Sequence, residues 1–156
     1  MAFETEEAGE TLMLVRDIMS SPPVTVTPET TVQEVARLMS IHGIGSVVVV
    51  DKPTPPNKIV GIITDKDLIK RVLAPGKDPF KTKASDVMTT KVHLIYAQDT
   101  LRDAVYKMKS RGIGHLPVID METGQLVGMI SKSDILLVAP EYLDMLSILW
   151  KRVPPE

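Results

Sequence analysis

Two seven-residue segments of similar sequence, at 61–67 and 128–134, hold the side chains with the clearest chemistry. In each, an apolar run ends in a hydroxyl residue, and an aspartate follows three positions later. This order predicts a buried strand that passes directly into the start of a helix. A carboxylate placed there can accept two hydrogen bonds from a vicinal diol, and the N–H groups of a helix start favour phosphate. The side chains concerned are Thr64 and Asp67 in the first segment, and Ser131 and Asp134 in the second.

The same hydroxyl-to-acid spacing also has a purely structural explanation, because it is the capping box of a helix N-terminus. The chain contains this spacing at two more predicted helix starts, Thr31 to Glu34 and Thr100 to Asp103. The pattern alone therefore establishes only where helices begin. Position favours a ligand at 61–67 and 128–134, because each turn follows a buried strand without a loop, and ligands of α/β sheets bind at such strand ends.

Composition excludes several classes of function. The chain has 156 residues, no cysteine and a net charge of -2. Without cysteine there are no disulfides, no thiolate catalysis and no cysteine-based zinc sites, and the charge gives no basic field to attract nucleic acid. The first residues are acidic where a signal peptide would be basic, and no apolar run approaches the length of a membrane helix. We therefore expect a soluble cytoplasmic protein that binds neither nucleic acid nor a membrane.

The two segments belong to a longer internal repeat. Asp86-Val87-Met88 stands 69 positions after Asp17-Ile18-Met19, and the same displacement aligns 111–114 with 42–45. The displacement falls to 67 at Gly128, because the first copy has two extra residues in a proline-rich loop. Two copies of about 70 residues predict paired subdomains rather than a solenoid, which needs three or more units.

Hydrophobic periodicity assigns the same order of elements, β-α-β-β-α, to both copies. A continuous apolar run at 46–50 predicts a strand buried on both faces, and Gly43 predicts the end of the helix before it. Three short strands and two helices cannot close a core alone at this size. The fold class is therefore α+β, with two units packed sheet to sheet about a pseudo-two-fold axis. Predicted strands are 24–26, 46–50, 58–63, 92–95, 116–119 and 126–130, and predicted helices start near 17, 30, 65, 100, 132 and 140.

The C-terminal segment has no counterpart in the first copy. From Pro140 on, apolar residues at i, i+3, i+4, i+7 and i+8 predict an amphipathic helix, which either contacts a dimer partner or another protein, or folds back on the same chain. The stripe consists of Tyr142, Met145, Leu146, Leu149 and Trp150. The predicted divisions are a tail at 1–13, a first unit at 14–76, a linker at 77–83, a second unit at 84–138, and a C-terminal helix and tail at 139–156.

Together these features resemble the CBS domain family, in the tandem arrangement called a Bateman module. The matching residues are the starts Asp-Ile-Met and Asp-Val-Met, the Gly-Ile-Gly runs before the second strand of each copy, and the two Gly-to-Asp turns. The resemblance covers about residues 14–138, and its specificity comes from the ordered set occurring twice. It implies a regulatory module that senses a ligand and has no catalytic residues, and that binds AMP, ADP or ATP in the cleft between the two units. S-adenosylmethionine and NAD are alternative ligands, and a homodimer that forms a disc of four units is also implied.

The resemblance assigns roles to individual residues. It places the ribose hydroxyls on Asp67 and Asp134, and it places phosphate or ribose on Thr64 and Ser131. Neighbouring residues of the two turns would add phosphate contacts, as would Arg111 at the end of a helix and His115 at the start of a strand. Backbone groups of the first strands would contact the edge of the adenine ring. Arg111 could instead complement the helix dipole, and His115 could be an ordinary strand-edge residue. These further residues are Lys66, Lys132, Ser133, Arg111, His115, Thr25, Val26, Leu94 and Ile95.

The two turns differ in charge. The first carries Asp65 and Lys66 where the second has Lys132 and Ser133. Because a second carboxylate would repel phosphate, we predict that the site with Asp134 binds nucleotide more tightly than the first site. The two aspartates of the first turn also allow a metal site, but the sequence nearby offers no histidine or further carboxylate as a third ligand.

The sequence gives less support to two other classes of function. No Ser-His-Asp arrangement, P-loop or spaced set of metal ligands supports an enzyme. A ligand-free dimerisation scaffold is the remaining alternative. In the favoured interpretation, ligand binding shifts the packing of the two units and biases the disc or an unidentified regulated protein.

Overall fold

The computed structural model describes residues 13–150, apart from the side chain of Trp150. Residues 1–12 of the predicted tail and 151–156 lie outside the described part. The first half contains α1 (Val15–Ile18), β1 (Thr25–Val26), α2 (Val32–His42), β2 (Ser46–Val50), β3 (Ile59–Thr64) and α3 (Asp65–Leu68), which continues as a π-helical turn over Ile69–Leu73. The second half contains α4 (Ala84–Val87), β4 (Ile95–Tyr96), α5 (Leu101–Arg111), β5 (His115–Ile119), β6 (Leu126–Ser131), α6 (Lys132–Val138) and α7 (Leu143–Leu146), with 3₁₀ turns at Pro140–Tyr142 and Ser147–Trp150.

The described residues form two compact units. Residues 22–93 make the continuous unit, and residues 13–21 together with 94–150 make the split unit. The continuous unit holds a sheet of order β1-β2-β3, and the split unit holds a sheet of order β4-β5-β6. In each sheet the first strand is parallel to the second, and the second is antiparallel to the third. This α+β architecture has the predicted order of elements in both copies.

The long helices begin and end where the local sequence predicts. The Thr31 hydroxyl accepts the Glu34 N–H at the start of α2, and Gly43 ends that helix with a φ of 64°. The Thr100 hydroxyl accepts the Asp103 N–H at the start of α5 in the same way. Glycine suits the left-handed conformation at a helix end, because it has no Cβ to clash with the backbone. The predicted boundaries of these two helices are confirmed within two residues.

Several local predictions are wrong in detail. Residues 92–94 do not join β4, and the Leu94 carbonyl accepts a hydrogen bond from Lys107 Nζ instead of a strand partner. On α2, Val35 is buried, whereas the neighbouring Ala36 is exposed. The helix predicted to start near 65 is regular only to Leu68 and then widens, with the Ala74 N–H donating to the Ile69 carbonyl. Within this wider turn Val72 stays buried while Arg71 Nη1 reaches the Val87 carbonyl at 2.6 Å.

The leading segment of each sequence copy joins the sheet of the other copy. In the split unit, Ser20 and Met129 exchange backbone hydrogen bonds of 2.9 and 3.0 Å, and Val15 is fully buried in the core beside β5 and β6. In the continuous unit, Ile62 and Thr89 exchange two bonds in the same way, of 3.0 and 2.9 Å. The compact units therefore divide the chain near 21 and 93, away from the ends of the repeats.

Two glycines allow these segments to approach. A Cβ at Gly128 on β6 would lie 2.7 Å from Met19 Sδ and 2.8 Å from the Ser20 carbonyl oxygen. A Cβ at Gly61 on β3 would lie 2.5 Å from Met88 Sδ. Only glycine leaves room for the methionine of the leading segment to cross the strand at this distance.

The C-terminal segment folds back on the split unit, which is one of the two outcomes expected for its stripe. Leu146 is completely buried in the core of that unit, and Tyr142, Met145 and Leu149 pack against the same core. The segment consists of short 3₁₀ and α turns instead of one helix. A break at Ala139, with φ of -140° and ψ of 69°, separates it from α6. No helix in residues 13–150 is both long and apolar enough to cross a membrane.

Acid is expected to weaken the turn that Asp120 holds before β6. Asp120 accepts hydrogen bonds from Gln98 Nε2 at 2.7 Å and from the Thr123 N–H at 3.0 Å. These bonds, the Gln98 bond most of all, lower the pKa of the Asp120 carboxyl below its ordinary value of 3.8. A lowered pKa in the folded state means that the contribution to stability is present above pH 3.8 and is lost as the pH falls through the folded-state value. Asp120→Asn should therefore lose less melting temperature than the wild type between pH 6 and pH 3, and identical losses would contradict this assignment.

Candidate functional site

The turn at Asp134 is built by the direct passage of β6 into α6. The Ser131 N–H donates to Asp134 Oδ2 at 2.9 Å, and the Asp134 N–H donates to the Ser131 hydroxyl at 3.2 Å. Asp134 is partly buried. The carboxylate has a second oxygen, Oδ1, whose lone pairs can accept further donors. One oxygen therefore fixes the side chain, and the other remains able to accept a hydroxyl donor.

The turn at Asp67 repeats this geometry with one addition. The Thr64 N–H donates to Asp67 Oδ2 at 2.9 Å, and the Asp67 N–H donates to the Thr64 hydroxyl at 3.2 Å. Asp67 Oδ1 lies 3.9 Å from Arg71 Nε, an ion pair in which the Asp67 side chain is 17% exposed and the Arg71 side chain 47%. Neither aspartate is turned out into bulk solvent.

Both aspartates thus act as capping boxes, as the structural explanation of the pattern requires. Thr100 and Asp103 make the same pair of bonds at α5, of 3.0 and 3.1 Å, so capping geometry alone does not identify a ligand site. The turns differ in setting. Asp103 is exposed, whereas Asp67 and Asp134 are partly buried and directly follow a strand. Partial burial of the carboxylate at the end of a strand is the feature that favours a ligand at these two turns.

The first turns of the two helices differ in how they are occupied. Asp65 Oδ1 accepts the Lys66 N–H at 2.8 Å, so a carboxylate of the chain sits at the start of α3. At the equivalent position of the second copy, Lys132 extends over Gly114, where a Cβ would lie 3.2 Å from Lys132 Nζ. The two turns therefore differ in the charged side chain at the first position of the helix, a carboxylate in α3 and an ammonium group in α6.

The structure brings some of the predicted ligand residues close to the turns. His115 begins β5 and pairs with Ser131 in the β5–β6 ladder, as Ser46 pairs with Thr64 in the other sheet. Ser133 and Lys66 are exposed in the first turns of their helices, and Arg111 is exposed at the last position of α5. These residues stay candidates.

The predicted residues of the first strands lie further from the turns. Thr25 pairs with Val48, and Ile95 pairs with Val118, so each first strand is separated from the ligand turn by the middle strand of its sheet. The side chains of Val26 and Ile95 are buried in the two cores, which leaves only backbone groups for a ligand. The Leu94 carbonyl is occupied by Lys107 Nζ.

Arg71 was not among the residues predicted from the sequence. Its spacing of four residues after Asp67 on one helix is a signal that could have identified the pair. The guanidinium also contacts Thr89 Oγ1 at 3.4 Å, in the segment that leads into the second copy.

At the metal site considered from sequence, no group of three or more His, Cys, Asp or Glu residues comes together within the described range 13–150.

Comparison with known proteins identifies the family. The CBS domain model matches residues 15–74 and 84–141. An uncharacterized protein of Methanopyrus kandleri is 36% identical over 126 residues, which cover 81% of this chain and 62% of that protein. The chain thus spans less than two thirds of that relative. The CBS domain-containing protein YhcV of Bacillus subtilis is 34% identical over 121 residues, covering 78% of this chain and 81% of YhcV.

Solved structures agree with the family model. The CBS domain pair of protein MJ0100, in complex with 5′-methylthioadenosine and S-adenosyl-L-methionine, is similar with a TM-score of 0.71 and 29% identity, covering 83% of this chain and 98% of that one. The CBS domain protein TA0289 of Thermoplasma acidophilum has a TM-score of 0.77 at 22% identity, over 90% of this chain and 77% of that one, and shows the shared fold. The chain therefore belongs to the CBS domain family and carries two CBS domains in tandem.

Proposed function

We propose that this protein is a regulatory module that binds an adenine nucleotide, AMP, ADP or ATP, at its two strand-to-helix turns. The Asp134 carboxylate is the observation that carries the proposal. Its Oδ2 is fixed by the Ser131 N–H, and in this proposal the second oxygen, Oδ1, accepts a ribose hydroxyl. A carboxylate is an acceptor only, so it suits the two donors of a 2′,3′-diol.

The comparison supports an adenosine compound as the ligand class. The CBS domain pair of MJ0100 was solved with 5′-methylthioadenosine and S-adenosyl-L-methionine, both of which carry an adenosine ribose. Each turn of this chain offers an aspartate to such a ribose and a hydroxyl residue beside it. The choice of a nucleotide within the adenosine class is part of the proposal, and S-adenosylmethionine and NAD are the alternatives.

The regulatory action follows from linkage. A ligand that binds only the native state adds RT ln(1 + [L]/Kd) to its stability, which is about 2.7 kcal/mol at a hundredfold excess over Kd. It also shifts any pre-existing equilibrium toward the conformations that hold the ligand. In this proposal, the shift changes the state of a homodimer and of an unidentified regulated protein. The proposal includes no catalytic step. Sedimentation equilibrium tests the homodimer.

Replacing Asp134 by alanine should lower the affinity for AMP about tenfold or more. Hydrogen bonds to a charged group contribute about 1.5 to 3 kcal/mol, and each 1.4 kcal/mol is a factor of about ten in Kd. Isothermal titration calorimetry with AMP on the purified chain measures the change. Asp103→Ala is the matched control, because it removes the same capping box from α5 at an exposed aspartate and should leave affinity unchanged.

Each of three outcomes would contradict a different part of the proposal. Equal losses in Asp134→Ala and Asp103→Ala would mean that the aspartate acts only through helix capping. Full affinity in Asp134→Ala with lost affinity in Asp67→Ala would overturn the prediction that the Asp134 site is the tighter one. No thermal shift with any adenosine compound at millimolar concentration would favour the ligand-free dimerisation scaffold.

A further inference from the structure

We propose that Met19 and Met88 are oxidation sites, at which conversion to the sulfoxide releases the leading segment of each copy from the strand that it crosses. The thioether sulfur of each methionine is the reacting atom, and a peroxide is the class of oxidant. The inference concerns the packing inside each compact unit, and it does not depend on the ligand of the proposed function.

Both methionines lie over a glycine of the neighbouring strand. Met88 Sδ lies 2.5 Å from the position that a Cβ would take on Gly61, and Met19 Sδ lies 2.7 Å from the corresponding position on Gly128. There is therefore no room for an additional heavy atom between either sulfur and its strand. An oxygen bonded to the sulfur on that side would collide with the glycine and displace the leading segment.

Oxidation also changes the polarity of side chains that pack against a core. Met19 packs against the core of the split unit, and Met88 packs against the core of the continuous unit. A thioether suits such a position, whereas a sulfoxide is polar and is destabilised there unless its oxygen accepts a hydrogen bond. Turning the side chain so that the oxygen meets water gives up the contact over the glycine. Neither epimer of the sulfoxide therefore keeps the packing of the thioether.

The exposure of these two side chains permits the reaction. Met19 and Met88 are partly buried, so a small peroxide can reach the sulfur, whereas Met39 and Met108 are buried. A sulfur lone pair attacks one oxygen of hydrogen peroxide, the O–O bond breaks and an S–O bond forms. The sulfur is oxidised to the sulfoxide, and the second oxygen leaves as water with both protons of the peroxide.

The residue after each methionine is hydrogen-bonded to the crossed strand. In the split unit this residue is Ser20, which exchanges two backbone bonds with Met129. In the continuous unit it is Thr89, which exchanges two bonds with Ile62. A methionine that leaves its glycine displaces the next peptide group, so these pairs should open more often after oxidation. Because β3 and β6 pass directly into the two strand-to-helix turns, the release loosens the strands that hold the candidate site.

Treatment of the purified chain with hydrogen peroxide tests the proposal. Peptide mass spectrometry identifies the oxidised residues, and hydrogen exchange is measured at the Ser20 and Thr89 amides before and after treatment. Met121 is 54% exposed, so its complete conversion sets the peroxide dose. At that dose Met19 and Met88 should be converted, and exchange at both amides should accelerate about tenfold or more, as expected for an unmatched polar group in a packed site.

Two single variants assign the effect to individual sulfurs. Met19→Leu should abolish the acceleration at Ser20 and leave that at Thr89, and Met88→Leu should do the reverse. Leucine is close to methionine in volume and has no sulfur to oxidise. Each variant thus serves as the control for the other, because each should protect only its own unit.

Two further measurements protect the test against a packing defect of leucine. A chain in which norleucine replaces every methionine keeps the unbranched side chains without sulfur, and peroxide should not change its exchange rates. Reduction of the oxidised wild type by methionine sulfoxide reductases for both epimers should restore slow exchange at Ser20 and Thr89.

The inference fails if Met19 and Met88 stay reduced at the dose that converts Met121. It also fails if both are converted while exchange at the Ser20 and Thr89 amides stays slow. Equal acceleration in the wild type and in the Met19→Leu, Met88→Leu double variant would assign the effect to another methionine and would overturn the inference as well.

Discussion

Replacing Leu146 by alanine is expected to lower the free energy of unfolding of the split unit by about 2 to 5 kcal/mol, the range for large-to-small changes in a packed core. Leu146 lies on α7 and is completely buried in the core of that unit, although it comes from a segment without a counterpart in the first copy. The truncation removes apolar contacts and leaves a cavity that the short turns around it can fill only in part. Urea unfolding followed by circular dichroism gives the change.

Leu143→Ala is the matched control for this prediction. Leu143 belongs to the same short helix, but its side chain is 51% exposed. The same change there should cost well under 1 kcal/mol, because an exposed side chain leaves no cavity. Hydrogen exchange at Val118 and Val48 assigns the loss to one unit, since these residues lie in the middle strands of the two sheets. Equal losses in Leu146→Ala and Leu143→Ala would show that the C-terminal segment does not stabilise the core in solution.

Replacing Gly128 by alanine is expected to destabilise the split unit by about 2 to 3 kcal/mol, the upper part of the range for overpacked sites. The new Cβ would lie 2.8 Å from the Ser20 carbonyl oxygen, which accepts a hydrogen bond from the Met129 N–H. Backbone cannot be displaced without breaking that pairing. The leading segment should therefore detach from β6, and amide exchange at Ser20 and Met129 should accelerate along with the loss of stability.

Gly61→Ala provides a comparison with a different physical limit. There the close atoms all belong to the Met88 side chain, with Sδ at 2.5 Å and Cβ at 3.0 Å from the new methyl. Adding Met88→Ala should relieve most of the strain in Gly61→Ala, whereas adding Met19→Ala should relieve only part of the strain in Gly128→Ala. A double-mutant cycle measured by urea unfolding reports both coupling energies. Full rescue of Gly128→Ala by Met19→Ala would show that the Ser20 carbonyl is not the limiting contact.

Much of the fold could be predicted from the sequence because its signals are local. Helix starts at Thr31 and Thr100 depend on a hydroxyl three residues from a backbone N–H, and the helix ends at Gly43 and Gly112 depend on one positive φ. The buried run of β2 is continuous in the sequence, so its burial on both faces could be predicted too. Because the sequence contains two copies, each of these signals occurs twice.

The rest depends on contacts between distant parts of the chain. Nothing near Leu94 indicates that Lys107 takes its carbonyl, and nothing near Ile69 indicates a π-helical turn. The exchange of leading segments between sheets also left no local pattern, because either sheet offers the same edge to either segment. A repeat whose copies are similar cannot show by periodicity which copy pairs with which.

The candidate site shows the same division. Thr64, Asp67, Ser131 and Asp134 were predicted correctly as helix starts at strand ends, and the structure adds their partial burial and their hydrogen bonds. Ligand binding by these residues stays a prediction. The engagement of Asp65 with its own backbone neighbour and of Arg71 with Asp67 required coordinates, because both depend on side-chain conformations.

The exchanged leading segments set an order in which the chain can be completed during synthesis. Every strand of the continuous unit, and the segment that pairs with its edge, lies within residues 22–93, so that unit is whole soon after its last residue is made. The other unit needs a contact such as that from the Ser21 hydroxyl to the Val127 carbonyl, across 106 residues. Closing so long a loop is slower than forming local contacts. Residues 13–21, which are made first, can therefore pack only after residues 94–150 have been made, and the continuous unit can fold in the meantime.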